Sequence, residues 1–378
     1  MLSARPLTGV MVVEIGHSVA APYAGLILAE LGADVVKVEN PKGGDYARGW
    51  GPPFWGESAA AFHALNRSKR GITVDLADDA ERARLRRFIV GKADVLLHNV
   101  KAGAMDRLGM GPAGLLAEKP SLLFCNIGAF GNRGPLKDMP GYDPLMQAFG
   151  GLMSMLGEDG RDPVRVSVSI MDMATGMWAA IGILAAIAER ARTGQGGVID
   201  TSLYETSCGW MTVPLAAYLC SGQMPVRAGS GVREIVPYQV FSGSDGYMMV
   251  AAGNDNLFRK LCGVIGRPEL ADDPRFALNA DRVVNRDAII GALSERLRVQ
   301  PVAVWMAMLE AAGIPCGPIQ TVDQVVVHPQ TAAMGIIQAG PEGVVRTVGL
   351  PVSFDGARAE FAREAPRLGE HNAEILGG

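Results

Sequence analysis

The sequence predicts an α/β protein, with a large Rossmann-like domain built on a parallel sheet and a smaller α+β domain. Three observations predict it. Apolar, β-branched runs alternate with helix-spaced segments from the start of the chain, the pattern of strands covered by helices on both faces. The first run, the helix after it and the next run form a βαβ unit, whose parallel strands need the crossover. The 378 residues exceed one ordinary domain, and the pattern changes near Ser221.

The elements follow in order. Residues 9–15 (GVMVVEI) read as a buried strand. Residues 20–31 have helical spacing, Gly32 stops that helix, and 33–39 (ADVVKVE) form the second strand. A strand over 72–76, a charged amphipathic helix over 78–90, and strands over 93–98 (ADVLLH) and 121–126 (SLLFCN) continue the alternation. A β-like run at 164–170 precedes a long apolar helix over 173–192. A short strand at 197–200 then leads into a helix over 201–219. Past Ser221, 237–241 and 246–251 pair around Ser-Asp-Gly, and helices are expected over 256–265, 285–299 and 302–312. The tail at 345–354 (VRTVGLPVSF) reads as strand. The expected organisation is a large domain over 1–220, a small α+β domain over 221–322, and a segment, 323–378, returning to the large domain.

Composition excludes several function classes. Hydrophobic residues at 48% and charged residues at 20% suit a buried core rather than disorder. A formal net charge of -4 supplies no positive field for nucleic acid or an anionic membrane, so neither is expected as a partner. The cysteines (Cys125, Cys208, Cys220, Cys262, Cys316) form no CxxC pair, which argues against structural zinc and a disulfide framework. The N-terminal stretch lacks the pattern of a signal peptide, and the apolar run 177–188 is too short to span a bilayer, so a cytoplasmic protein is expected.

Several motifs lack the context they need. Gly109, Gly111 and Gly114 spell G-x-G-x-x-G, but no strand precedes them, which weighs against a dinucleotide. No GxxxxGK[ST] occurs, and no two histidines stand at i,i+4 spacing, so neither ATP nor a metal is supported. The form G-x-S-x-G of a serine hydrolase is also missing.

Asp172 stands out, in SIMDMATG between the β-like run and the apolar helix. Its carboxylate reads either as a helix N-cap or as a nucleophile, and the two are compatible. A helix N-terminus offers partial positive charge and free N–H groups that favour an ionised carboxylate. Gly176, one turn on, leaves little bulk, so a substrate could approach. Arg67, Lys69 and Arg70, with Lys101 and Arg107, form a basic set that reads as a solvated face or as a phosphate site.

With these residues in view, the chain resembles the class III CoA-transferases, the CaiB–BaiF family. The segments that carry the likeness include GHSVAAPYAGLILAELGADVVKVENPKGGD, ALNRSKRGITVDL, ADVLLHNVKAGAMDRLGMG, PGYDPLMQAFGGLMSMLGE and MDMATGMWAAIGILAAIAERARTGQGG, in family order over nearly the whole length. The resemblance implies that Asp172 is the catalytic nucleophile and that His17 begins an N-terminal active-site loop. Lys69 and Arg107 match basic positions near the CoA phosphates and pantetheine, and Asn99 matches an Asn beside CoA. Tyr142 and Asp143 match a Tyr-acid pair near the acyl group. It implies an interlocked homodimer, an acyl-CoA and a small carboxylic acid as substrates, and no tightly bound cofactor.

Val19 and Asn40 replace a Gln and an Arg that some members carry, and AAGNDN (251–256) replaces a tandem-glycine loop, which argues against oxalate and formate. The acid expected is dicarboxylic, with succinyl-CoA as a donor and Arg48 or Arg165 as the cation for its far carboxylate, though each arginine also reads as structural. One rival is an α-methylacyl-CoA racemase-like isomerase. Racemases carry His-Asp where this chain has Tyr142-Asp143, and Tyr is a poor base near neutral pH. The other rival is a CoA-binding protein without catalysis, which would not need Asp172.

Overall fold

The structure, a computed structural model, describes residues 3–377. The chain divides into two compact units, one of residues 1–152, 165–216 and 329–378, the other of residues 153–164 and 217–328. The segment 153–164, inside the stretch read as the large domain, thus belongs with the second unit.

The first unit is built on six parallel strands: β1 (Met11–Ile15), β2 (Asp34–Glu39), β5 (Arg70–Thr73), β6 (Val95–His98), β7 (Leu123–Gly128) and β8 (Gly197–Ser202). Two-residue strands β3 (Phe54–Trp55) and β4 (Ser58–Ala59) form a separate hairpin. The sheet order is β5-β2-β1-β6-β7-β8, so the chain reverses direction across the sheet between β1 and β6. In open α/β sheets a ligand sits at this reversal, beyond the strand C-termini.

Strand alternation decides which helices cover which face. Val12, Val95, Leu97 and Cys125 pack with α1 (Ala20–Glu30) and α7 (Ile170–Thr193). Val13, Val36, Leu96 and Phe124 pack with α3 (Asp79–Lys92) and α5 (Pro112–Glu118). Between these come α2 (Ala60–Asn66), α4 (Ala104–Arg107) and α6 (Asp143–Phe149). The free edge of β5 is covered by the C-terminal segment: the His371 N–H donates to the Gly71 carbonyl and the Gly71 N–H to His371 Nδ1.

Four expectations change. The run at 164–170 is no strand: Ile170 opens α7, and the Gln147 amide accepts the Val166 N–H at 2.8 Å and donates to its carbonyl at 3.1 Å, satisfying the groups a neighbouring strand would have paired. The helix over 201–219 breaks at Met211 into α8 (Leu203–Trp210) and α9 (Thr212–Ser221). Only Arg346–Val348 of the tail is strand, because Gly349 and Pro351 follow. Finally, α7 runs for 24 residues and is long and apolar enough to cross a membrane, unlike the shorter run read from sequence. Its buried face, including Ala174, Gly176, Ala179 and Ile183, packs on α1 and the sheet, the role of a core helix.

The second unit holds a three-stranded antiparallel sheet, β9 (Tyr238–Ser242), β10 (Tyr247–Ala251) and β11 (Cys316–Pro318). Helices α10 (Asp255–Val264), α11 (Glu269–Asp272), α12 (Asn279–Val284), α13 (Arg286–Leu297) and α14 (Val302–Ala311) surround a core around Phe241, Phe258 and Trp305. Arg282 is buried there and is satisfied by the carbonyls of Val236 and Phe276 and by Asp255.

Candidate active site

A cavity of about 590 Å³ opens at the C-terminal ends of β1, β6, β7 and β8, at the sheet's reversal point. His17, Asn99, Tyr142 and Asp172 all line it. These four come from loops and helix starts 17 to 172 in the sequence, and only the sheet order brings them together.

Asp172 is the third residue of α7, not its N-cap. Ser169 holds the cap position and makes no side-chain capping bond. The cap is supplied from elsewhere: Asp143 Oδ2 accepts from the Met171 N–H at 2.6 Å and from the Asp172 N–H at 3.3 Å. Gln147, one turn along α6, holds the other Asp143 oxygen at 2.6 Å. Asp143 is buried and does not line the cavity; it works from behind Asp172. The expectation that the helix start keeps Asp172 readily ionised is therefore corrected. Burial first, and the Asp143 carboxylate second, push its pKa up to about 7. Gly176 also has a different role from the one read in sequence. A Cβ there would stand 2.6 Å from the Ala20 carbonyl oxygen, so this glycine lets α7 lie against α1 rather than admitting a substrate.

The loop after β1 forms the opposite wall. Asn99 spends its whole side-chain amide on that loop: its Oδ1 accepts the His17 N–H at 3.0 Å and its Nδ2 donates to the His17 carbonyl at 2.9 Å. Ser18 follows at φ 66°, a left-handed conformation costly for a non-glycine residue, and its N–H donates to Asp45 Oδ1 at 2.9 Å. Asp45 in turn pairs with Lys37 at 2.8 Å, and Lys37 donates to the Gly16 carbonyl at 2.9 Å. Burial pushes the His17 imidazole pKa down, Asp45 opposes this and Lys37 adds to it, so the ring is neutral at pH 7.

Lys69 is not at a phosphate site. It is fully buried and donates to Glu14, to the Pro22 carbonyl and to Asn66 at 2.7, 2.8 and 3.0 Å. Glu14 lies between two lysines, and burial affects them unequally. Lys37 has Glu14, Asp45 and Glu39 to outweigh its desolvation, so its pKa rises. For Lys69 desolvation outweighs Glu14 and brings the pKa down to about 8. Gly25 of α1 leaves the space this cluster fills, since a Cβ there would sit 1.9 Å from Glu14 Oε2.

The two arginines expected to clamp an acceptor are engaged elsewhere. Arg48 forms a two-pronged pair with Glu39 at 2.7 and 2.8 Å and also donates to Ser58 and the Pro366 carbonyl. Arg165 is exposed and donates to the carbonyls of Val166 and Ser167. Neither lines the cavity, and Arg107 stands exposed beside it at the end of α4. The cations that do line it are Lys101, from the basic set read in the sequence, and Lys137, which the sequence reading missed. His98, Asn126 and Asp200 were also missed; their signal was position alone, at the ends of strands next to a reversal point.

The sequence profile of CoA-transferase family III matches residues 7–372. The succinate–glutarate CoA-transferase of Agrobacterium fabrum is 36% identical, over 98% of this chain and 95% of its own. The acetyl-CoA:oxalate CoA-transferase of Acetobacter aceti is 37% identical, over 98% of this chain and 95% of its own. A crystal structure of a CaiB/BaiF family protein from Brucella suis superimposes with a TM-score of 0.89 at 41% identity, covering 98% of each chain. The chain therefore belongs to CoA-transferase family III.

Proposed function

We propose that this enzyme moves coenzyme A from an acyl-CoA to a small dicarboxylic acid, with Asp172 as covalent nucleophile. The observation that carries the reading is the position of Asp172: a carboxylate at a helix start, facing a cavity at the sheet's reversal point. The Asp172 carboxylate attacks the thioester carbonyl and expels CoA thiolate, leaving a mixed anhydride. The thiolate then attacks the Asp172 acyl carbon and releases the donor acid, leaving an aspartyl-CoA thioester. The acceptor carboxylate attacks that carbon, expels the thiolate and forms a second anhydride. Thiolate attack on the acceptor's acyl carbon yields the new acyl-CoA and restores Asp172. Each tetrahedral oxyanion needs donors, and the turn Gly128–Ala129–Gly131 lines the same cavity. Water must be kept out because both covalent intermediates hydrolyse.

Relatives named for glutarate and for oxalate support a dicarboxylic acceptor. One relative that matches 98% of this chain is named for oxalate, so oxalate belongs among the acceptors compared. A second carboxylate needs a cation away from Asp172, and Lys137 lines the cavity on the loop leading to Tyr142. The expected result is faster turnover with succinate, glutarate or oxalate than with monoacids of equal length. Lys137→Ala raises the acceptor KM about tenfold with the donor KM unchanged, and Arg165→Ala leaves both alone. Preference for monoacids in a steady-state comparison of acceptors overturns the dicarboxylate reading.

The assembly proposed is a homodimer. Met177, Trp178 and Ile181 of α7 are about half exposed, and Trp210 and Val213 of α8 and α9 are 51% and 77% exposed. So much exposed apolar surface on neighbouring elements marks an interaction face. Light scattering at low micromolar concentration gives the mass of two chains; an active species with the mass of one chain is the contrary result.

A further inference from the structure

The cavity extends past Asp172 to a part of the site that the transfer chemistry does not use. Strand register puts His98, Asn126 and Asp200 side by side, one each on β6, β7 and β8. All three line the cavity at the strand C-termini, with Phe124 and Met105 as apolar neighbours. Asp200 is already satisfied, accepting from Asn126 Nδ2 at 3.0 Å and Asn132 Nδ2 at 2.8 Å. His98 is not. It is 5% exposed, its ring meets Phe124 edge-on at 5.1 Å, and neither ring nitrogen has a hydrogen-bond partner among the described residues.

A buried imidazole with two unsatisfied nitrogens costs free energy unless something bonds to it. Burial drives its pKa down to about 4, so at pH 7 it presents one N–H donor and one bare nitrogen acceptor. The Asp200 carboxylate, two strands along the same row, weighs against an anion at this place. The apolar neighbours suit a group that is uncharged. In a CoA thioester the uncharged planar groups that offer both a donor and an acceptor are the amides of the pantetheine arm and the adenine ring; the phosphates are anions.

We propose that His98 is a donor-binding residue, whose neutral imidazole hydrogen-bonds an uncharged amide or adenine edge of the CoA thioester. This rests on the CoA-transfer reading. It assigns His98 to binding rather than chemistry, so its loss shows in the donor KM and not in kcat.

The test is a kinetic comparison of wild type, His98→Leu and His98→Gln. Leu keeps bulk without polar atoms, and Gln restores a donor and an acceptor. His98→Leu is expected to raise the acyl-CoA KM about tenfold with kcat and acceptor KM unchanged, and His98→Gln to recover most of it. Acyl-pantetheine, which lacks adenine, separates the two sources. If the penalty persists with it the partner is a pantetheine amide, and if it vanishes the partner is adenine. An unchanged donor KM in His98→Leu, or a rise in the acceptor KM alone, overturns the proposal.

Wild-type protein labelled with 15N-histidine supplies a readout independent of any variant's folding. Adding CoA moves the His98 ring nitrogen resonances; resonances that stay in place at saturating CoA overturn the contact. A wild type that binds CoA with this shift yet turns over no donor overturns the transfer reading and keeps the contact.

Discussion

Asp172→Ala lowers CoA transfer below about a thousandth of the wild-type rate, the scale of loss when a covalent nucleophile is removed. Its neighbour Asp143 does not take its place: it is buried behind the helix start with both oxygens committed to Gln147 and to the Met171 and Asp172 N–H groups. Transfer above that level, measured with any acyl-CoA and acid pair the wild type uses, contradicts covalent catalysis by this residue. The fold survives, and Asp172→Asn makes that visible. The carboxyl holds its proton to about pH 7 in the folded protein, against about 4 in an unfolded chain. Between those values the folded state binds more protons, so stability falls as pH rises from about 4 to 7 and the cost is complete above 7. Removing the carboxylate removes that cost. Asp172→Asn therefore melts above wild type at pH 8, with the gain shrinking towards pH 4 in thermal unfolding scans.

Asp143 variants separate the two things this residue does. Asp143→Ala leaves the first N–H groups of α7 without a cap and frees Gln147, so, with Asp172 as the proposed nucleophile, its misplacement lowers kcat about a hundredfold. Asp143→Asn retains one acceptor oxygen and removes the charge, which is the second cause of the raised Asp172 pKa. Attack needs ionised Asp172, so wild-type kcat/KM rises with pH through about 7 and then levels. In Asp143→Asn the same rise moves to lower pH, though burial, the larger cause, keeps it above the ordinary carboxylate range. An acid limb that stays put in Asp143→Asn separates Asp143 from the ionisation of Asp172.

Much of this protein is determined by local sequence. The alternation of β-branched runs with helical spacing fixes strands and helices of the parallel sheet, because a strand buried on both faces and a helix buried on one need different periods. Asp172 stands out for the same local reason, where an apolar helix begins, but its proposed role comes from the family resemblance. Tertiary structure decided what each polar residue does, because that depends on partners far away in the chain. Asp143 caps a helix 28 residues on, and Gln147 stands in for a strand beside Val166. Lys69 reads as a phosphate ligand in LNRSKRG, yet α1 and Glu14 bury it completely. Arg48 reads as a free guanidinium until Glu39, at the end of β2, takes it. Asn99 reads as a ligand contact and proves to hold the His17 backbone, since the strand order puts the ends of β1 and β6 side by side. A short window of sequence records the type of a charged side chain, but its solvation and its partner are set by which strands become neighbours.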